Sequence, residues 1–326
     1  MKLFALDGSQ TLGAAVARVL WTTLAPHEER DFEGGEHKAR PMTGVRGEDV
    51  YVLHSLEGTL EQSANDKLCR LLFFLAACRD NGAASVTAVV PYLAYSRKDR
   101  QTKTRDPVTT RYVAQLFEAI GTDRVVTLDV HNIAAFQNAF RCQTVHLDTR
   151  RLFCREIAAL AGDLPVTVFS PDGGGVKRAQ LLKEAYEAET GAAAGFGFAE
   201  KRRSGGVVSG ELFAGAVEDS AVFIVDDMIG SGGTMLRAAR ACRARGAAAV
   251  HALATHGLFD AGAEALLAGG EIDSVTVTDS VARARQEAEA RADERLRIAE
   301  AAPLIGEAVR LLAEGGSISD LLHTPG

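Results

Sequence analysis

Residues 77–92, ACRDNGAASVTAVVPY, return 164 residues later as ACRARGAAAVHALATH, with eight of the sixteen positions identical. Each copy reads as a helix end, a glycine turn and a buried β-branched strand. An offset close to half of a 326-residue chain implies a duplication, and so two similar α/β domains in tandem. The rest of the pattern agrees. Short β-branched runs lie at 49–54, 85–91, 124–130, 165–170, 221–226, 248–255 and 274–278. They alternate with helix-compatible segments at 11–20, 61–80, 106–120, 149–161, 173–188, 232–245, 260–268 and 303–314. That alternation predicts βαβ units and mostly parallel sheets, with domains 1–147 and 148–326.

Composition narrows the function class. A net charge of −7 argues against nonspecific binding to nucleic acid or an anionic membrane, while leaving room for a local basic pocket. Asp7 interrupts the apolar N-terminal run, so MKLFALDGSQ is expected not to be a signal peptide. No apolar stretch approaches the roughly 18 residues of a membrane span. Five cysteines without C-x-x-C spacing predict reduced thiols in a cytoplasmic protein.

The chemistry is expected where strands end, because ligands of open α/β sheets bind at the carboxyl ends of strands. The stretch 222–234 reads VFIVDDMIGSGGT. Asp226 and Asp227 close a buried strand, and Gly230, Ser231, Gly232, Gly233 and Thr234 turn into a helix. Backbone N–H groups at such a turn favour a phosphate. The lysine of a P-loop is absent. Two acids beside a phosphate nest suit a sugar phosphate, with the acids on vicinal hydroxyls or on a divalent metal. The plain alternative is an acidic helix cap with a glycine turn.

Four other segments carry candidate groups. VVPYLAYSRKDRQ ends a strand in Pro-Tyr and then presents Arg97, Lys98 and Arg100, a cluster suited to nucleotide phosphates or simply a solvated loop. LDVH places His131 at another strand end. FSPDGGGVKR puts Asp172 before three glycines and a helix, which reads as a second helix-N-terminus anion site. A histidine and an aspartate from different strand ends can hold one hard cation, usually with waters. EKRR followed by SGGVVSG reads as a mobile basic loop, able to bring cations to a transferring phosphoryl group on closure.

The opening stretch resembles the ribose 5-phosphate loop of type I phosphoribosyltransferase folds. The ordered set DFEGGE, VVPYLAYSRKDRQ, LDVH, SPDGGGVKRAQ, EKRR, FIVDDMIGSGGT and ALATHGLF resembles the ribose-phosphate pyrophosphokinase family over nearly the whole chain. That resemblance implies an α/β fold of two tandem type I phosphoribosyltransferase-like domains, each a mostly parallel sheet flanked by helices. It implies transfer of pyrophosphate from Mg-ATP to the anomeric hydroxyl of ribose 5-phosphate, with release of AMP. Arg97 and Lys98 match the basic pair that binds ATP, although the family commonly has Gln where Lys98 stands. Glu36 matches the acid near the adenine, with Phe32 as its aromatic. His131 and Asp172 match the magnesium positions, and Lys201 and Arg203 the catalytic cations of the flexible loop. Asp226 and Asp227 match the ribose acids, and Ser231 to Thr234 the 5-phosphate loop. The resemblance also implies a homo-oligomer, a dimer or hexamer.

Three departures bear on these roles. Gly34 stands where the family usually has Asp, which removes an expected contact to the adenine amino group. Gly230 stands where many members have Asp, which removes a contact to the sugar, and Ser231 replaces a Thr. Two other readings share part of the pattern. A phosphoribosyltransferase shares the DD loop but needs neither EKRR nor RKDRQ nor a second domain. A noncatalytic relative that regulates a synthetase by co-assembly is favoured by Gly34 and Gly230 and opposed by Lys201, Arg203, His131 and Asp172. The charged stretch 282–297, ARARQEAEARADERLR, is helix-compatible and is expected to form a solvated face.

Overall fold

The computed structural model describes residues 1–204, 207–291 and 295–322; the side chains of 201–211, 320 and 322 lie outside that description. The chain forms two compact units. One comprises Met1–Asp148, Ser280–Ala282 and Ala302–Leu322, the other Thr149–Asp279 and Arg283–Ala301. The 1–147/148–326 division assigns the C-terminal helix to the second domain, whereas the helix packs within the first unit.

The first unit holds seven strands: β1 (Lys2–Ala5), β2 (His27–Asp31), β3 (His37–Pro41), β4 (Asp49–Leu53), β5 (Ser85–Val90), β6 (Arg124–Leu128) and β7 (Gln143–Leu147). Five of them form an all-parallel sheet in the order β1-β4-β5-β6-β7. Its helices are α1 (Gln10–Val19), α2 (Ala64–Asp80), α3 (Thr109–Ala119) and α4 (Ile133–Ala139). Strands buried on both faces need continuous apolar runs, which is why Phe4, Val52, Val86 and Ala88 pack with Leu71 and Phe74 of α2 in one core. A capping box fixes where α2 begins. The Ser63 Oγ accepts the Asp66 N–H at 3.2 Å and the Asp66 carboxylate accepts the Ser63 N–H at 2.9 Å, so the helix starts at Ala64 rather than at 61.

Strands β2 and β3 form a separate antiparallel hairpin against α2. Their sequences, HEERD and HKARP, have no apolar alternation and gave no strand signal. Charge and ring contacts hold the hairpin instead. Arg70 of α2 bonds Asp31 and lies 3.7 Å from Glu29, and Phe73 stacks on His37 at 5.4 Å.

The second unit carries β8 (Val166–Ser170), β9 (Ala194–Ser204), β10 (Val207–Ala214), β11 (Ala221–Ile229), β12 (Ala249–Gly257), β13 (Ser274–Thr278) and β14 (Leu296–Ala299). Its helices are α5 (Arg150–Ala161), α6 (Val176–Thr190), α7 (Gly233–Arg243), α8 (Glu264–Leu267) and α9 (Ala282–Ala290), the first residue of α9 belonging to the other unit. The strand order is β10-β9-β8-β11-β12-β13-β14, all pairs parallel except the β9–β10 hairpin. From β8 the chain builds outward to β9; from β11 it builds the other way, to β12 and beyond. The order therefore reverses between β8 and β11, and a crevice opens at such a reversal, outside the carboxyl ends of the two strands.

Two expectations change here. The segment read as a mobile basic loop is part of the β9–β10 hairpin, with Ala199 paired to Phe213. The stretch 282–297 is helical only to Ala290, and Leu296 and Arg297 enter β14, where Arg297 bonds Glu156 at 2.9 Å.

The last helices, α10 (Ala302–Ala313) and α11 (Ser319–Leu322), belong to the first unit. α10 lies on α1, and a Cβ at Gly306 would approach Val19 to 2.6 Å, so only glycine permits that contact. Segment 280–282 is tied to the same unit by hydrogen bonds. Ser55 Oγ donates to the Ser280 carbonyl at 2.6 Å, and the Ala282 N–H donates to Glu57 at 3.1 Å. Among the described residues no helix is long and apolar enough to cross a membrane, and no disulfide joins the five cysteines.

Candidate active site

The acids of the second unit sit at the reversal of strand order. β11 runs three residues past the expected end at 226, so Asp226 and Asp227 lie in its last turns of pleat rather than beyond it. Asp227 is 3 % exposed, and its N–H donates to Asp226 Oδ1 at 2.9 Å. Two carboxylates this close need a cation, and α6 supplies one. Arg178 Nη1 lies 3.8 Å from Asp226 and 3.5 Å from Asp227. Burial first, then the Asp227 charge and hydrogen bond, push the Asp226 carboxyl well above the usual carboxylate range, and Arg178 offsets part of that. Such a pair holds back part of its negative charge until a hydroxyl donor or a cation arrives. Arg178 was not singled out from the sequence. Its signal lies in FSPDGGGVKR, once helix α6 is known to start at Val176.

The loop after β11 has the geometry of a phosphate nest. Gly232 is left-handed at φ 73°, and a Cβ there would meet Leu266 at 2.9 Å, so both backbone and packing require glycine. No side chain caps α7, and its first internal bond is Leu236 N–H to the Gly232 carbonyl at 3.0 Å. The N–H groups of the first turn, with Gly233 and Thr234 among them, are thus available to an anion, and the helix dipole adds to the attraction.

Asp172 follows β8, the strand beside β11, and behaves differently from the second anion site expected there. Its Oδ1 accepts the Gly174 and Gly175 N–H groups at 2.9 and 3.0 Å, so the chain's own carboxylate fills that place. Its other oxygen has no hydrogen bond among the described residues. A hard, half-buried carboxylate oxygen fits magnesium. Next to it, Glu200 lies against Gly173, where a Cβ would come within 2.8 Å of Glu200 Oε1. The strand bearing Lys201 and Arg203 therefore runs beside the Asp172 loop, with Ser170 paired to Phe198. The side chains of Lys201 and Arg203 lie outside the described residues.

In the first unit the candidate cations leave the end of β5. Tyr95 takes a left-handed φ of 66°; its carbonyl accepts the Lys98 N–H at 3.0 Å and the Thr110 Oγ at 2.8 Å. That turn exposes Arg97 and Lys98, which have no side-chain partner among the described residues. Asp99 accepts a hydrogen bond from Asn132 at 2.7 Å, which brings the basic loop to the segment carrying His131 at the end of β6. His131 is exposed, and a single imidazole there suits a cation that keeps most of its waters. Asp129, two residues earlier, is held at φ 38°, a strained value of the kind found at functional sites.

Phe32 and Glu36 sit on the turn between β2 and β3. The Phe32 N–H donates to the Glu36 carbonyl at 2.8 Å, both side chains are exposed, and Arg30 covers the Phe32 ring at 5.4 Å. Gly34 is left-handed at φ 85° with open space around its Cβ direction. Among the described residues one group of three has metal-compatible spacing: Asp7, His27 and Glu29, with ligand atoms within 4.8 Å of one another. Neither His131 nor Asp172 belongs to it. Hydrogen bonds account for this group. Glu29 Oε1 accepts the Asp7 N–H at 2.6 Å and meets His27 Nε2 at 3.0 Å, which clamps the hairpin to the end of β1.

Known proteins share this sequence pattern from end to end. Residues 1–121 match the model for the N-terminal domain of ribose phosphate pyrophosphokinase, and residues 211–323 that for the phosphoribosyl synthetase-associated domain. A ribose-phosphate pyrophosphokinase of Mesorhizobium japonicum is 35 % identical over 323 residues, 98 % of this chain and 99 % of that protein. One from Caulobacter vibrioides is 35 % identical over 325 residues, with the same coverage. The crystal structure of phosphoribosylpyrophosphate synthetase from Mycobacterium smegmatis superposes with a TM-score of 0.85 at 30 % identity, over 97 % of this chain and 99 % of that one. With similarity of this degree running end to end through both units, the chain belongs to the ribose-phosphate pyrophosphokinase family.

Proposed function

We propose that this enzyme transfers the pyrophosphoryl group of Mg-ATP to the C1 hydroxyl of ribose 5-phosphate, giving 5-phosphoribosyl 1-pyrophosphate and AMP. The observation that carries the reading is the Asp226–Asp227 pair, bridged by Arg178, beside the uncapped N-terminus of α7. Phosphate on the loop Gly230–Thr234 and vicinal hydroxyls on the two acids match the two ends of one pentose phosphate. Binding both ends fixes the orientation of the C1 hydroxyl, which is worth more than any push on its reactivity.

In the first unit, Arg97 and Lys98 hold the ATP phosphates, and Phe32 with Glu36 takes the adenine. Gly34 leaves the adenine amino group one contact short, so other nucleoside triphosphates belong in the same assay. His131 of the first unit and Asp172 of the second are the residues that would each offer magnesium a ligand, and the ion would supply charge neutralisation at the phosphates. Lys201 and Arg203 stabilise the charge that spreads over the transferred group. The enzyme works in the cytoplasm as a homo-oligomer, a dimer or hexamer.

The deciding experiment incubates the purified chain with Mg-ATP and ribose 5-phosphate and follows AMP and 5-phosphoribosyl 1-pyrophosphate, with Lys201→Ala alongside. Equimolar products that fall by about 10³-fold in the variant are expected. Folded protein that binds ribose 5-phosphate yet turns over no nucleoside triphosphate would instead favour a noncatalytic regulator.

A further inference from the structure

The loop after β12 places a third carboxylate beside the phosphate loop. A Cβ at Gly230 would point at Asp260 and meet its Oδ2 at 3.0 Å. The Asp260 backbone is fixed there. Its N–H donates to the Gly230 carbonyl at 3.2 Å, and the two residues before it, Leu258 and Phe259, both donate to the Ile229 carbonyl at 2.9 and 3.0 Å. Phe259 is 1 % exposed and held at φ 46°, a conformation that is strained for a bulky L-residue. Strain of this kind persists where the surrounding packing over-determines it, and here it delivers one side chain.

That side chain has no partner among the described residues. Asp226 and Asp227 share Arg178, but the Asp260 carboxylate, exposed to solvent, makes no hydrogen bond or ion pair among the described residues. A lone negative charge a few ångströms from a phosphate nest repels every anion that enters. The repulsion turns into a charge-assisted hydrogen bond only when the anion brings a hydroxyl donor within reach. Inorganic phosphate at neutral pH brings a negative charge that outweighs its one weak donor, whereas a sugar phosphate presents neutral hydroxyls next to its phosphoester.

We propose that Asp260 is a specificity-determining residue of the phosphate loop, accepting a hydrogen bond from a ribose hydroxyl and setting ribose 5-phosphate apart from simple phosphate anions. Gly230 is the other half of the arrangement, because a Cβ there would stand 3.0 Å from Oδ2 and crowd the Asp260 carboxylate. The inference rests on the reading that this loop takes ribose 5-phosphate.

Calorimetric binding tests it without turnover. Dissociation constants for ribose 5-phosphate and for inorganic phosphate are measured on the full chain and on Asp260→Asn and Asp260→Ala, whose folding is checked by thermal melting. The preference for ribose 5-phosphate over inorganic phosphate is expected to drop by about tenfold or more in both variants. Gly230→Asp alone crowds two carboxylates and should weaken ribose 5-phosphate binding, and Gly230→Asp with Asp260→Ala should recover most of it. A preference unchanged within about twofold, or a double variant no better than Gly230→Asp, overturns the proposal. If the unaltered chain binds ribose 5-phosphate but makes no product, only the reaction assigned above fails. If it does not bind ribose 5-phosphate at all, both fail.

Discussion

The two copies of the repeated segment keep one architecture and part company at one point. In the first, Arg79 at the end of α2 donates to the carbonyls of Gly121, Ala83 and Ala84 and pairs with Asp123, whose carboxylate also takes the Val86 N–H at 2.7 Å. In the second, Arg243 at the end of α7 donates to the carbonyls of Glu271, Ala247 and Ala248 and pairs with Asp273, whose carboxylate takes the Val250 N–H at 2.8 Å. Gly82 and Gly246 turn the chain with φ of 87° and 83°. The amino ends of β5 and β12 are thus built alike. Their carboxyl ends are not. β5 runs into Arg97 and Lys98, and β12 runs into Phe259 and Asp260. The junction at the amino end sets the fold, whereas the loop at the carboxyl end holds the groups to which the proposed chemistry is assigned.

The largest effects should therefore separate by unit. Asp227→Asn removes the proposed ionic acceptor for the sugar, worth roughly 2–3 kcal/mol, and should cut kcat/KM for ribose 5-phosphate by about 10²-fold while KM for ATP stays within about twofold. Arg97→Ala should do the reverse, raising KM for ATP about tenfold and sparing ribose 5-phosphate. Initial-rate kinetics with each substrate varied in turn would break the comparison if either variant affected both substrates equally.

The structural side of the comparison predicts equality instead. Arg79→Met and Arg243→Met each leave several backbone carbonyls and one aspartate without their donor, at similar exposure, 29 % and 25 % for the two side chains. Each should cost about 2 kcal/mol in urea unfolding, and the two should agree within about 1 kcal/mol. A difference of several kcal/mol would mean that the two junctions are alike in shape only.

The smallest effect is a pH dependence that the units share unequally. His54 of the first unit is fully buried, and burial together with the Lys67 charge lowers its pKa from 6.5 to about 3. Folded His54 is neutral, whereas the unfolded residue protonates near 6.5. The stability it contributes is complete above that pH and falls as pH drops from 6.5 toward 3, by at most about 1.4 kcal/mol per unit. His251 of the second unit is 6 % exposed where His54 is fully buried; burial lowers it too, and Asp273 pulls the other way. Melting temperatures between pH 7.5 and 5 should flatten in His54→Gln and change less in His251→Gln. The opposite ranking would show that His54 is not the group that titrates.

Much of this was legible in the residues. The repeat announced two related halves because a helix end, a glycine and a Val strand are local signals. The turn from β11 into α7 was legible because a strand, two acids and small residues in sequence favour a turn into a helix. The β2–β3 hairpin was not legible, since HEERD and HKARP are held by Arg70 and Phe73 of a helix far along the chain. Nor was the role of Asp172 toward its own glycines, because a helix start three residues on reads as an anion site whether or not the acid turns back. Arg178 and Asp260 escaped notice for a related reason. Each acts on residues about 50 or 30 positions away, and nothing in its own neighbourhood marks it.

The sequence by itself determined the alternation of strand and helix and the duplication, since both follow from side-chain periodicity and turn chemistry along a few neighbouring residues. Only the tertiary structure decided that the strand order of the second unit reverses between β8 and β11, that the C-terminal helix joins the first unit, and that the Asp260 carboxylate comes up against Gly230. Those outcomes depend on which surfaces can approach closely, where one missing Cβ or one buried arginine sets the contact, and close approach between distant segments leaves no period in the chain.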